Sequence, residues 1–134
     1  MAKVELKTKA TNVSVDRFLE SISNVLQRED SKIIIKIMQK IIMDKPKMWG
    51  TSIIGFGKEY LKYESGRELD WFKIGFSPRK NAIAIYGIKS ASSYNIKLFP
   101  KLGSFSRAKS CIYIKQLSDI NLKILEEMIQ ESVL

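Results

Sequence analysis

The chain of 134 residues contains no histidine and a single cysteine, Cys111. Without histidine it cannot carry a Ser-His-Asp or Cys-His catalytic arrangement, or a zinc site of the HExxH or mixed Cys/His type. One cysteine cannot form an internal disulfide or an all-cysteine zinc site, and this favours a reducing cytoplasm. Any metal held by side chains would have mainly carboxylate ligands, which suit a hard ion such as iron, manganese, magnesium or calcium.

Long apolar runs and charge runs are also missing. No apolar run approaches the roughly 18 residues of a membrane span, and the first ten residues lack the apolar core of a secretory signal. We therefore expect a cytoplasmic protein without a membrane partner. The 23 Lys and Arg residues outnumber the 14 Asp and Glu residues, for a net charge of +9. This dispersed basic surface favours nucleic acid or an anionic ligand as a partner, and is also typical of an ordinary solvated surface.

The string GTSIIGFGK, at residues 50–58, comes closest to a nucleotide-binding motif. A phosphate-binding loop needs a lysine directly after its second glycine, and then Ser or Thr. Here Phe56 follows Gly55, the lysine comes only at Lys58, and Glu59 stands where the hydroxyl should be. The glycines instead suit tight bends or bulges at strand ends. We reject the nucleotide-binding interpretation, and no other catalytic arrangement emerges, so we expect a protein that is not an enzyme.

Apolar residues at helical spacing predict two N-terminal helices, over about 14–27 and 30–44, and one C-terminal helix over about 118–132. Ser14 and Ser118 are the expected N-caps. The first helix is expected to bury a stripe that includes Phe18, Ile22, Val25 and Leu26.

Between these helices the period changes to two, which predicts short strands. The expected strands cover 51–56, 59–64, 70–78, 82–87 and 110–115. Within 70–78, Phe72, Ile74 and Phe76 lie on one face and Trp71, Lys73 and Ser77 on the other, so we expect the first three to face the helices. A short helix ending near Leu102, with Gly103 as its stop, is expected before the last strand.

Consecutive strands joined by tight turns form antiparallel sheets, and helices with one apolar stripe must cover the apolar face of such a sheet. We therefore predict a single α+β domain over residues 1–134, with residues 1–12 as a flexible N-terminal segment. The sheet should have about five antiparallel strands, with the two N-terminal helices and the C-terminal helix on one face.

The opposite sheet face is the first candidate site. If the helices are faced by Phe72, Ile74, Phe76, Ile112 and Ile114, several aromatic and basic side chains share the other face or its adjoining turn. This predicted binding face consists of Trp71, Lys73, Arg79, Lys80, Tyr86, Tyr113 and Lys115. Aromatic rings mixed with cations can stack nucleotides or hold small anionic ligands. Alternatively, the crossover segment or a dimer partner covers this face, so we expect a monomer or a weak homodimer.

Three motifs give the chain a family resemblance. They are MWGTSIIGFGK at 48–58, YESGRELDWFKIGFSPRK at 63–80 and AKSCIYIKQLSDI at 108–120. Together they resemble the YdhG-like family, a bacterial domain of unknown function, over roughly residues 13–133. Leu69 and Ala108 depart from the family pattern, which has glycine at both positions, and this indicates altered turns.

One branch of that family is similar to frataxin in fold and is described as an intracellular iron chaperone. The resemblance implies an α+β fold, no catalytic residues, and delivery of iron to receiving proteins from an exposed ridge of carboxylates. The carboxylate pairs that this chain offers are Asp16 with Glu20 and Glu127 with Glu131, each four residues apart on a predicted helix. Like charges at this spacing repel, so a cation would relieve them. The alternative is that both pairs are solvated helix faces.

Overall fold

The computed structural model describes residues 10–62, 64–66, 68–89, 92–108 and 111–133. These residues form an α+β fold, as predicted. In chain order the elements are α1 (Val15–Glu20), α2 (Val25–Ile42), β1 (Lys47–Trp49), β2 (Ile53–Phe56), β3 (Glu59–Lys62), β4 (Glu68–Trp71), β5 (Ile74–Pro78), β6 (Ile83–Tyr86), α3 (Ser93–Leu102), β7 (Ser106–Arg107), β8 (Cys111–Ile114), a 3-10 turn (Leu117–Asp119) and α4 (Leu122–Ser132).

A six-stranded antiparallel sheet forms the centre of the fold, with the strand order β1-β2-β5-β6-β8-β7. Strands β3 and β4 form a separate two-stranded sheet. The predicted antiparallel arrangement is therefore confirmed, although the short strands β1 and β7 were not predicted. The backbone of Ala10 bridges to Trp49, and the Thr11 N–H donates to the Met48 carbonyl at 2.8 Å. This part of the predicted flexible segment is paired with β1, and residues 1–9 lie outside the described residues.

One face of the large sheet carries the hydrophobic core. Side chains at alternate positions of its central strands are at most 1% exposed: Ile74, Phe76, Ile83, Ile85, Ile112 and Ile114. All four helices pack against these residues, with Leu19, Ile34, Met38, Leu102, Leu125 and Ile129 among the contributing side chains. The short helix expected to end near Leu102 is α3, and Gly103 follows it. Among the described helices, none has the length and apolarity to cross a membrane.

The division between the first two helices was predicted wrongly. Helix α1 ends at Glu20 and α2 already begins at Val25, because the Asn24 side chain accepts a hydrogen bond from the Gln27 N–H at 3.0 Å and caps α2. Val25 and Leu26 therefore lie in the first turn of α2, where they are 62% and 52% exposed instead of buried.

Two other helix ends also differ from the prediction. Helix α2 stops at Ile42, where Met43 adopts a left-handed conformation with a φ of 62°. Ser118 does not cap the last helix, since it lies in the 3-10 turn. Asn121 takes that role, and its side-chain oxygen accepts hydrogen bonds from the first N–H groups of α4.

The predicted strand 70–78 is interrupted by a bend at Phe72 and Lys73, which separates β4 from β5. The bend turns Phe72 away from the helices, so its predicted orientation is wrong. The physical reason lies in the glycines of the opposite face. A Cβ atom on Gly75 would lie 3.0 Å from the Phe72 ring, so the missing side chain leaves space that this ring fills.

Candidate ligand-binding site

Four aromatic residues cover part of the sheet face opposite the helices, and we call Trp49, Trp71, Phe72 and Tyr86 the aromatic cluster. The Trp71 and Phe72 rings stack with centroids 4.6 Å apart, and Trp49 meets Phe72 edge-on at 5.6 Å. Tyr86 contacts the other side of Phe72, with centroids 6.1 Å apart. Phe72 and Trp49 are buried, whereas Trp71 and Tyr86 are half-buried. The cluster therefore has a closed base and two partly exposed rings.

Gly55 and Gly75 form the floor below this cluster and are cross-strand partners on β2 and β5. A Cβ atom on Gly55 would lie 2.6 Å from Trp49 Cδ1 and 2.8 Å from Phe72 Cβ, closer than such atoms approach. The rings therefore rest directly on the backbone, which only glycine permits at this position.

A cleft of about 540 Å³ lies beside the two half-buried rings. Trp71 and Tyr86 form aromatic walls, and the exposed side chains of Lys73 and Lys89 add two ammonium groups. Glu59 contributes one carboxylate to the lining. The volume lies within the range of small-molecule sites, and the combination of rings with a few charged groups is typical of them.

The backbone that carries Lys89 is held by two helices. The Lys89 N–H donates to Ser132 Oγ on α4 at 2.9 Å, and its carbonyl accepts from Asn95 Nδ2 on α3 at 3.0 Å. Gly87, with a φ of 95°, lets the chain pass Lys73 closely, since a Cβ there would lie 2.5 Å from the Lys73 carbonyl oxygen. These contacts keep the lysine-bearing wall of the cleft in place without a ligand.

Arg79 extends the positive charge beyond the cleft. Its guanidinium donates a hydrogen bond to the Tyr86 hydroxyl and lies 5.9 Å from the centroid of that ring. Arg79 also interacts with Tyr113, whose pKa is raised above its ordinary value of 10.0. The Cys111 side chain is the main cause of that raised pKa, mostly by hydrogen bonding, whereas the Arg79 charge opposes it. A neutral phenol and a cationic guanidinium are therefore neighbours on this face.

The residues of the predicted binding face are thus divided between two places. Trp71, Lys73 and Tyr86 line the cleft together. Tyr113 and Lys115 line a second depression of about 470 Å³. Arg79 contacts Tyr86 of the cleft, and its charge also acts on Tyr113 of the second depression.

Lys80 is exposed in the turn between β5 and β6. Lys89 of the cleft was missed by the sequence analysis. The alternating pattern of β6 ends at Tyr86, and the positive φ of Gly87 changes the chain direction, so strand periodicity carries no signal for Lys89.

The first predicted carboxylate pair lies among basic groups. Asp16 and Glu20 border a surface depression together with Arg28 and Lys32 of α2. Glu29 lines the same depression and pairs with Lys32 at 3.0 Å, and this hydrogen-bonded partner lowers the pKa of the Glu29 carboxyl.

The second pair, Glu127 and Glu131, lies on α4 and lines another depression, beside Lys40. The Ser92 hydroxyl donates to Glu131 at 3.3 Å, and Lys40 pairs with the neighbouring Glu126 at 3.2 Å. Within the described ranges, no group of three or more His, Cys, Asp and Glu side chains is arranged to hold a metal ion.

No protein-family model matches the chain, and neither a curated protein nor a solved structure matches it. The resemblance to the YdhG-like family therefore rests on the three sequence motifs alone.

Proposed function

We propose that this protein is a non-enzymatic, cytoplasmic binding protein whose cleft takes an anionic ligand with a flat apolar ring. The observation that carries the proposal is that two exposed lysines, Lys73 and Lys89, line a cleft walled by Trp71 and Tyr86. A ring stacks on the partly exposed aromatic side chains while its anionic group pairs with the lysines. The fixed backbone at Lys89 reduces the ordering that binding requires.

The expected affinity is modest because the cleft is open to solvent. Stacking on an aromatic side chain contributes about 1–3 kcal/mol, and each exposed ion pair adds at most about 1 kcal/mol. With some burial of apolar surface, these contributions correspond to a dissociation constant between about 10 µM and 1 mM.

A pair of fluorescent probes tests the proposal. Anilinonaphthalene sulfonate is anionic and aromatic, and phenylnaphthylamine is its uncharged counterpart. The double variant Lys73→Gln/Lys89→Gln should weaken the sulfonate about tenfold, the effect of losing two exposed ion pairs. The same variant should leave the uncharged probe nearly unaffected. Trp71→Ala should weaken both probes, because both need the aromatic wall.

The matched control is Lys101→Gln, which removes an exposed charge on α3 at a position outside the cleft. This substitution should leave the binding of both probes unchanged. The proposed site would be contradicted if Lys101→Gln weakened sulfonate binding as much as the double variant does. It would also be contradicted if the double variant left sulfonate binding unchanged.

Iron delivery, which the family resemblance implies, is the second candidate, with iron-receiving proteins as partners. In its favour, Glu127 and Glu131 line one depression on α4. An anaerobic titration with ferrous iron tests this role. Micromolar binding that Glu127→Gln/Glu131→Gln abolishes would support iron delivery. Binding weaker than millimolar would argue against it.

A further inference from the structure

The cationic side chains on the face opposite the helices continue from one end of the central strands to the other. Lys73 directly precedes β5 and Arg79 directly follows it. Their backbones are six residue steps of extended chain apart, about 20 Å, and the Arg79 guanidinium reaches back from the far end to the Tyr86 hydroxyl. Lys89 adds charge at the first end, and Lys115 follows β8 at the other end.

Aromatic rings occupy the path between these ends. Tyr86 and Tyr113 are half-buried and belong to neighbouring antiparallel strands. On one side, each has a cross-strand partner with almost no side chain, since Gly75 lies opposite Tyr86 and Ala84 lies opposite Tyr113. On the other side the partners are the small residues Cys111 and Ser106. The Arg79 guanidinium contacts Tyr86, and its charge also acts on Tyr113. Rings and cations are therefore mixed along the path.

We infer that the ligand is a single-stranded nucleic acid of about four nucleotides, the short end of single-strand binding sites. This inference rests on the proposed function, because one nucleotide occupies the cleft between Trp71 and Lys89. The following nucleotides run past Tyr86 and Tyr113 toward Lys115. A ligand confined to the cleft would not use the cations at the far end.

Single strands fit this surface better than a duplex does. Unpaired bases can stack on tyrosine, tryptophan or the arginine plane, whereas the bases of a duplex are already stacked on one another. Among the described residues that line the cleft and the second depression, the acidic ones are Glu59 and Asp119. They oppose the phosphates at both ends, so we expect moderate affinity with a strong dependence on salt.

Fluorescence anisotropy with labelled oligo(U) and oligo(dT) of two, four and six nucleotides tests the inference. Affinity should rise from the dinucleotide to the tetranucleotide and then level off. Each oligonucleotide carries a 5′-phosphate and its label at the 3′ end, so the tetranucleotide has four phosphates. If Lys73, Lys89, Arg79 and Lys115 each meet one of them, the logarithmic salt slope is about −2.8, at about −0.7 per phosphate. The tetranucleotide affinity then falls about fiftyfold between about 50 and 200 mM salt.

Variants at the far end separate this inference from the proposed function. Tyr113→Leu/Lys115→Gln should weaken the tetranucleotide about tenfold or more, since it removes one stacking ring and one charge, while anilinonaphthalene sulfonate still binds the cleft. Because Tyr113 is half-buried, Lys115→Gln is also measured alone, and it should reduce the salt slope by about 0.7.

The inference would be overturned if the tetranucleotide bound no tighter than the dinucleotide. It would also be overturned if the far-end variants left the affinity for the tetranucleotide unchanged. Duplex DNA or RNA that binds as tightly as the single strands would also overturn it. In either case, lysine-dependent binding of the sulfonate would leave the proposed function standing. If Lys73→Gln/Lys89→Gln left sulfonate binding unchanged, the proposed function itself would be contradicted.

Discussion

Replacing Gly55 with alanine tests the packing that holds the aromatic cluster. The new Cβ would lie 2.6 Å from Trp49 Cδ1 and 2.8 Å from Phe72 Cβ. These two side chains are only 3% and 1% exposed, so they cannot move aside without opening the cluster. Overpacking of this kind costs about 1–3 kcal/mol. Alanine recovers about 0.5–1 kcal/mol, because glycine is unfavourable inside a strand. Because both contacts are shorter than real Cβ atoms show, we take the upper half of the overpacking cost, about 2–3 kcal/mol. The free energy of unfolding should then fall by about 1–2.5 kcal/mol once the gain from alanine is subtracted.

Urea denaturation followed by far-UV circular dichroism measures this change. The matched control is the same substitution in a Trp49→Leu background, because two of the three nearest contacts of the added Cβ belong to Trp49. There the cost of Gly55→Ala should fall by at least half, and the double-mutant cycle should give a coupling energy of about 0.5–1 kcal/mol. A neutral or stabilising Gly55→Ala, or a cost unchanged by the loss of the indole, would refute the packing argument.

Three further predictions concern the helix ends, the buried carboxylate and the phenol. Met43→Gly should raise the free energy of unfolding by about 0.5–1 kcal/mol, because the exposed Met43 has a φ of 62°, which glycine adopts more easily. Urea denaturation measures this change, and a variant less stable than the parent protein would contradict the prediction. Asp30 is 6% exposed and its Oδ2 accepts from the Leu117 N–H at 3.0 Å. Asp30→Ala should therefore cost about 1–3 kcal/mol, with a smaller loss for Asp30→Asn, whereas equal losses in thermal denaturation would argue against this bond. Cys111→Ala should lower the raised pKa of Tyr113, because the Cys111 side chain is the main cause of that shift. An alkaline absorbance titration measures this pKa, and the Tyr113 transition is identified as the one that Tyr113→Phe removes. Because the pKa of Tyr113 is raised in the folded state, the neutral phenol stabilises the fold at pH values below the ordinary tyrosine pKa. This stabilisation is lost as the pH rises through the pKa of the folded state.

The sheet could be predicted from the sequence because its signal is local. Ile83 and Ile85 alternate with Ala84 and Tyr86, and this places the two isoleucines on one face whatever the rest of the chain does. The bend at Phe72 could not be predicted in the same way. Phe72 has the same parity as the core residues of β5, and its true orientation depends on space above glycines of two strands.

The break between α1 and α2 was hidden by a continuous apolar pattern. Ile22, Val25 and Leu26 continue the helical spacing of α1, so periodicity favoured one helix. The capping bond from Gln27 N–H to the Asn24 side chain decides the boundary instead. Polar residues that cap a helix look the same in sequence as polar residues on its surface.

The candidate site was partly predictable for similar reasons. Lys73 and Tyr86 were assigned to one face from strand parity, and the structure places both in the cleft. The contact of Arg79 with Tyr86 depends on how the side chain returns over the sheet, which the sequence pattern does not encode. Likewise, the cations beside Asp16 come from α2, so their proximity is a tertiary effect.

A nuclear magnetic resonance titration with anilinonaphthalene sulfonate tests the central claim most directly. The chain has two tryptophans and therefore two indole N–H signals. Trp71 lines the cleft, whereas Trp49 is buried at the base of the aromatic cluster. We predict that the signals of the Trp71 indole and of the Gly87 and Lys89 amides shift most, and that these shifts saturate. Saturable shifts confined to the Tyr94 and Glu131 side of the molecule, with the Trp71 indole unchanged, would contradict it.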